Sequence, residues 1–161
     1  ESDPRGTGYN VLQAMVAVGS GGVSGKGLGY GSQSQLSFLP EKHTDFIFAV
    51  VSEELGLIGA GLVIFLYGVL LYRIRQIGAE ASDNFGYLLS LGVMTMVFVQ
   101  ILINVGMNVG VLPVTGLPAP FLSYGGSSLL SLSASLGLLL SVYRRKKGAH
   151  DMRISLERSL L

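Results

Sequence analysis

Leu39-Pro40-Glu41-Lys42-His43-Thr44-Asp45-Phe46-Ile47-Phe48 joins two unlike parts of the chain. Before it the sequence is polar and glycine-rich; from Phe46 to Tyr72 it is apolar for most of its length. Four ionisable side chains, Glu41, Lys42, His43 and Asp45, stand within five residues at that junction. A charge cluster at the mouth of a hydrophobic span lies close to a membrane surface. Water there is scarce enough to shift a pKa, and a substrate can arrive from either phase. A carboxylate in that position is a candidate general base. The plainer alternative is a set of flanking charges that only mark the membrane boundary.

Composition agrees with a membrane protein. Mean hydropathy is +0.54. Charged residues make up 13% of the 161-residue chain, where about 25% is usual for a soluble domain. A net charge of +1 gives no global field for nucleic acid. The absence of cysteine excludes disulfides, thiolate metal sites and cysteine nucleophiles. With no Trp, an aromatic belt falls to Tyr and Phe. The chain opens Glu1-Ser2-Asp3-Pro4-Arg5, with neither Met nor a signal-peptide pattern, and is expected to be the C-terminal piece of something longer.

Residues 1–45 hold one short apolar stretch, Tyr9 to Gly19. It falls short of the about 20 apolar residues that a span needs, so an interfacial or re-entrant helix is expected. Gly19 to Ser32 is rich in glycine and carries Lys26. A phosphate-loop reading fails on spacing, because Ser20 and Gly27 occupy the places that need Gly and Ser or Thr. The G-x-G-x-x-G spacing fails as well. Two readings stay open: a flexible loop with tight turns, or backbone N–H groups and Lys26 approaching an anionic head group.

The first span, about 46–72, carries Glu53 and Glu54 some two turns in. Carboxylates at that depth face protein or a water-filled cavity. If the helix starts early, Glu41, Asp45 and Glu53 lie near one face. A polar link from Arg73 to Phe85 leads to a second span, about 86–107, which is uncharged and carries Gln100 and Asn104 on successive turns. Asn108 to Pro120 holds three prolines and cannot continue a regular helix. Being apolar, it suggests a loop tucked against the membrane face. The third span, about 122–143, opens with Ser123-Tyr124-Gly125-Gly126 and closes at Arg144-Arg145-Lys146-Lys147, after which at most a short surface helix is expected. The positive-inside rule puts the 73–85 link and the C-terminus in the cytoplasm. Residues 1–45 and the Pro-rich loop then lie outside. The expected fold is therefore an all-α integral membrane protein: an extracellular loop over 1–45 with a short interfacial helix, three membrane helices over 46–143, and a cytoplasmic tail over 144–161.

Several stretches together resemble the SEDS (shape, elongation, division and sporulation) family that includes RodA, FtsW and SpoVE. They are Leu39 to Phe48 followed by Glu53-Glu54-Leu55-Gly56, Ala17-Val18-Gly19-Ser20-Gly21-Gly22 with Gly25-Lys26-Gly27, and Asn104-Val105-Gly106-Met107 with Leu112 to Pro118, Pro120-Phe121 and Ser123 to Ser127. The 104–107 and 114–116 stretches look more like RodA than FtsW. The resemblance implies a fold of about ten membrane helices, each about 20 residues long. This chain would supply the last three and the large extracellular loop before them.

The family's activity implies a peptidoglycan glycosyltransferase that polymerises lipid II, in cell elongation or division, in the bacterial plasma membrane. Resemblance also implies that Asp45 is the essential carboxylate. As base it would take the proton of a sugar 4-hydroxyl attacking an anomeric carbon, in one inverting displacement with undecaprenyl pyrophosphate leaving. Glu41 and His43 would orient or tune Asp45, with Thr44 beside them. Lys26, Lys42 or a divalent cation such as Mg would neutralise the pyrophosphate; no tightly bound cofactor is expected, and which residues would ligate a metal is left open. Ser123, Tyr124, Gly125 and Gly126 would meet sugar or phosphate, and Glu53 and Glu54 would be structural. The implied partners are lipid II, a class B penicillin-binding protein and membrane lipids, with no nucleic acid. Without its upstream helices the piece is expected to be inactive. Buried Glu53 and Glu54 beside a Pro-broken loop would also suit a flippase or transporter, and a non-enzymatic scaffold of the synthesis complex is a third reading.

Overall fold

The computed structural model describes residues 7–30, 45–81 and 83–159. Among them every regular element is a helix: α1 (Thr7–Ser20), α2 (Ile47–Ala79), α3 (Asn84–Asn108) and α4 (Gly126–Ser159). Three of these helices are long and apolar enough to cross a membrane: Ile47–Ala79, Asn84–Asn108 and Gly126–Arg144. Many apolar side chains on them face outward, Leu62, Phe65, Leu66 and Leu130 among them. Such surface suits lipid or further helices, not water.

The basic residues do not end the helices. The polar link begins only at Glu80, because α2 continues through Arg73 and Arg75 to Ala79. Likewise α4 continues through Arg144 to Lys147 and on to Ser159, where the sequence suggested a sharp stop and a short surface helix at most. The physical reason is that Arg and Lys are good helix formers. Their charge limits how deep the helix is buried in lipid, not how far it extends.

Helix α1 presents Ala14 and Ala17, three residues apart, to Phe46, just ahead of α2, and Ala49 in its first turn, with Val18 and Val114 closing the cluster. Small alanines let the two backbones approach closely. At the opposite end, Ile74, Val93, Val97, Leu132 and Leu139 bring α2, α3 and α4 together. Gly78 sits against Ser90 there, where an added Cβ would lie 2.8 Å from the serine Cβ. Asp83 caps α3 by accepting from the Gly86 N–H at 3.2 Å.

Helix α2 is broken at Gly56, whose φ of 67° and ψ of −161° are non-helical. The break removes the bonds that Leu57 and Ile58 would make to the carbonyls of Glu53 and Glu54. The glycine-rich segment after α1 replaces both of them. Lys26 N–H donates to the Glu53 carbonyl at 3.0 Å and Gly27 N–H to the Glu54 carbonyl at 3.0 Å. Leu57 N–H donates to Gly22 at 2.9 Å and Ile58 N–H to Val23 at 3.3 Å. All four groups freed by the break are thus paired, as an apolar surrounding demands. The segment is therefore a strap docked on a helix break. The N–H groups of Lys26 and Gly27 are engaged by carbonyls, which leaves the anion-cradle reading without those two donors.

Close approach requires the glycines. A Cβ on Gly56 would collide with Gly25 N and with the Val23 carbonyl. Its φ/ψ pair also lies in a region that is essentially glycine-only. In the full-length protein, Gly56→Ala should release the strap at a cost of about 2 kcal/mol. Hydrogen exchange checks this: the amides of Lys26, Gly27, Leu57 and Ile58 should lose protection together. Unchanged protection at these four would mean that the strap does not depend on the break.

Candidate active site

Asp45 lies just ahead of α2, whose N-cap is Phe46. The helix begins after it, so Asp45 does not share a helical face with Glu53. Its neighbour Phe46 is buried against α1 and fixes the entry of the chain into the helix. Asp45 itself is 8% exposed.

Two asparagines of α3 hold its main chain. The Asp45 carbonyl accepts from Asn104 Nδ2 at 3.0 Å and from Asn108 Nδ2 at 3.1 Å. Asn108 Oδ1 accepts from the Ala49 N–H at 3.1 Å, so the first turn of α2 is capped from another helix. Asn104 Nδ2 also donates to the Leu117 carbonyl at 2.9 Å, tying in the Pro-rich loop. Both asparagines are buried, at 1% and 0% exposure.

The loop between α3 and α4 packs over this junction. A Cβ on Gly116 would stand 3.6 Å from Asp45 Oδ2, which puts the loop backbone beside the carboxylate. Pro120 is fixed by the Tyr67 hydroxyl, which donates to its carbonyl at 2.8 Å. The loop then closes on itself, with Ala119 N–H donating to Ser123 Oγ at 2.7 Å. A cavity of about 500 Å³ opens alongside, lined among the described residues by Ile47, Leu122, Ser123 and Tyr124. Tyr124 is 85% exposed, so its hydroxyl is available to a ligand. Helix α4 starts at Gly126, so Ser123, Tyr124 and Gly125 precede it in the loop and do not open the helix as the sequence suggested; the Gly125 carbonyl accepts from Ser128 Oγ and from the Leu129 N–H.

Glu53 has a different environment. Its side chain is fully buried and pairs with Lys26 Nζ at 2.9 Å, while the lysine side chain is 32% exposed. The pair sits on the strap and ties it to α2 beside the backbone bonds. Glu54 contributes its carbonyl to the same strap and is half-buried. Glu41, Lys42, His43 and Thr44 lie outside the described residues. Among the described residues no three acidic or histidine side chains gather.

Asn108 went unrecognised in the sequence because it reads as the first residue of a loop, and Asn104 read only as a polar residue in a span. The available signal was their spacing. Two amides four apart at the end of an otherwise apolar helix share one face, and buried amides need partners.

The FtsW/RodA/SpoVE family, described as cell cycle proteins, matches residues 1–148. The chain belongs to this family. It is 50% identical over 147 residues to the peptidoglycan glycosyltransferase MrdB of Escherichia coli K12, covering 91% of this chain and 40% of that protein. It is 47% identical over 142 residues to the stage V sporulation protein E of Bacillus subtilis, covering 88% and 38%. Among solved structures, it superposes with a TM-score of 0.68 and 33% identity on a chain from a study of how a peptidoglycan synthase complex coordinates polymerisation and crosslinking, covering 84% of this chain and 37% of that one. It also matches an aspartate-to-alanine variant of the Thermus thermophilus rod shape determining protein RodA, with a TM-score of 0.63, 37% identity, and 83% and 40% coverage. The chain thus spans about 40% of the length of MrdB. Family and helices together make it part of a multi-pass membrane protein.

The Lys26–Glu53 pair generates a prediction. Removing the lysine deprives the buried Glu53 carboxylate of its ion-pair partner, which destabilises more than removing both partners together. Lys26→Met should lower the melting temperature of the full-length protein in detergent. Adding Glu53→Gln to that variant should recover most of the loss. A double variant no more stable than Lys26→Met would show that the pair is not what holds the strap.

Proposed function

We propose that the full-length protein is a peptidoglycan glycosyltransferase that polymerises lipid II on the outer face of the bacterial plasma membrane, with Asp45 as its general base. The observation that carries this reading is the setting of Asp45. Its carboxylate lies beside the loop backbone at Gly116, and two residues further on Ile47 lines the cavity next to Ser123 and Tyr124. Family membership supports the reaction class, since MrdB is named a peptidoglycan glycosyltransferase.

The reaction asks little of the protein. A sugar 4-hydroxyl attacks the anomeric carbon of a lipid-linked disaccharide. The new C–O bond forms as the bond to the pyrophosphate oxygen breaks, inverting that carbon. The hydroxyl proton passes to the Asp45 carboxylate, and the electron pair leaves with undecaprenyl pyrophosphate, which is already a good leaving group. One positioned base suffices for the proton. Tyr124 and Ser123 border the cavity where the sugar would sit. Lys42 and the partly exposed Lys26 would lend positive charge to the pyrophosphate, Lys26 from its pairing with Glu53. Glu41, His43 and Thr44, adjoining Asp45 in sequence, would orient the carboxylate.

In this reading residues 1–45 and the 108–126 loop face the exterior and the C-terminus the cytoplasm. A class B penicillin-binding protein would receive the new glycan strand for crosslinking. The solved complex that pairs polymerisation with crosslinking supports such a partner.

Asp45→Asn keeps the shape of the side chain and removes the base. In the full-length protein assayed with its crosslinking partner, it should reduce lipid II polymerisation by ~10²–10⁴-fold. Membrane level and partner binding should stay as in the wild type. His43→Ala should cost less than Asp45→Ala. Near wild-type polymerisation by Asp45→Asn would reduce Asp45 to a boundary charge and move the base elsewhere.

A further inference from the structure

We infer that Asn104 and Asn108 are positioning residues for the Asp45 carboxylate, with Asn104 setting its distance from the Pro-rich loop. This rests on the glycosyltransferase reading of the site and extends it to the two asparagines of α3.

The hydrogen bonds of the two amides converge. Asn104 Nδ2 carries two hydrogens and has two carbonyl acceptors in different segments, Asp45 at 3.0 Å and Leu117 at 2.9 Å. A single planar group thereby fixes the spacing between the carboxylate-bearing residue and the loop. That loop is the one whose Gly116 lies beside Asp45 Oδ2 and whose following residues, Leu122 to Tyr124, line the cavity. The Asp45 carbonyl takes its second bond from Asn108 Nδ2 at 3.1 Å. With that carbonyl held from two sides the peptide plane next to the Asp45 Cα is fixed, and the carboxylate is left with its two side-chain torsions.

Capping makes the same point. An Asp just ahead of a helix ordinarily lends its carboxylate to the first-turn N–H groups. At Ala49, three residues past the N-cap Phe46, the acceptor is the Asn108 amide, on another helix. Asn108 Nδ2 also donates to the Asn104 main-chain carbonyl at 2.8 Å and, at 3.5 Å, to the Asn104 side-chain Oδ1, which ties it to the preceding turn. Both are essentially sealed from solvent, at 1% and 0% exposure, so water cannot replace a lost bond. The loop itself holds its inward residues by other bonds, such as that of Tyr67 to Pro120. Losing the Asn104 amide should therefore shift Asp45 against the loop without releasing the loop.

The test uses full-length protein in complex with its crosslinking partner, with lipid II as the probe. Wild type, Asp45→Asn, Asn104→Leu and Asn108→Ala are compared, with Ser90→Ala as a control from the far end of α3, where Ser90 bonds only its own helix. A misplacement near 1 Å costs about 100-fold in rate. Asn104→Leu should lower kcat by about 10- to 100-fold, with KM for lipid II within about 2-fold of wild type. Asn108→Ala, which leaves Asn104 in place, should lower kcat by less, and Ser90→Ala not at all. A wild-type kcat in Asn104→Leu overturns the inference. So does a loss that lies in KM, or one that only tracks the amount of intact complex. Failure of both asparagine variants to assemble would make the pair structural and overturn it too. If instead the wild type does not polymerise, or Asp45→Asn polymerises as well as the wild type, it is the glycosyltransferase reading that fails.

Discussion

Lipid offers no hydrogen bonds, so a helix can break inside an apolar span only where other protein groups take up the backbone it releases. The break at Gly56 releases two N–H groups and two carbonyls, and the segment from Gly22 to Gly27 pairs with all of them. Gly56 lies nine residues past Ile47, ~14 Å along the helix at 1.5 Å per residue. Neither partner of the junction is stable alone: a broken helix without the strap has unsatisfied groups, and a glycine-rich strap without the break has no template to order it. Lys26–Glu53 adds a charged pair at the same place, with its carboxylate buried and its amine reaching toward solvent.

The junction isolates the first turns of α2. With the bonds from Leu57 to Glu53 and from Ile58 to Glu54 replaced by bonds to the strap, residues 47–55 no longer continue the hydrogen-bonded column of residues 57–79. Their direction is set by what surrounds them. Ala14 and Ala17 of α1 press on Phe46 and Ala49 from one side, and Asn108 caps the end. A short, separately anchored piece of helix therefore follows directly on the carboxylate.

The large features of this arrangement were legible in the sequence, because apolar runs of spanning length report burial in lipid directly. The position of Asp45 at the mouth of α2 was legible too, since a charge cluster at the start of an apolar run admits few other placements. Other features, the two asparagines of α3 among them, were not. Basic residues at 73–75 and 144–147 read as helix ends, yet both helices run on, because charge restricts depth in the membrane and leaves helix propensity intact. The glycine-rich stretch read as a loose loop or an anion cradle, because its order comes from α2, more than twenty residues later in the chain. No local pattern encodes that pairing. Gly56 carried the only hint, as a glycine two residues after a pair of glutamates in an otherwise regular helix.

The strap and the asparagine clamp solve one problem at opposite ends of the same short segment. A helix start and a helix break both leave backbone groups unpaired, and each is a place where a non-local group can dock. At Gly56 the docking group is backbone, and at Ala49 it is the Asn108 amide. Backbone docking demands glycine on both sides, at Gly25 and Gly56, because a Cβ would keep the chains apart. Side-chain docking demands a residue that can donate and accept at once. Asn108 accepts from Ala49 and donates to Asp45, and an aspartate or a serine could not do both with the same reach. The chemistry of the two junctions thus follows from what each must satisfy. The carboxylate proposed to act as base sits at the end of the segment where side-chain amides take up the backbone groups.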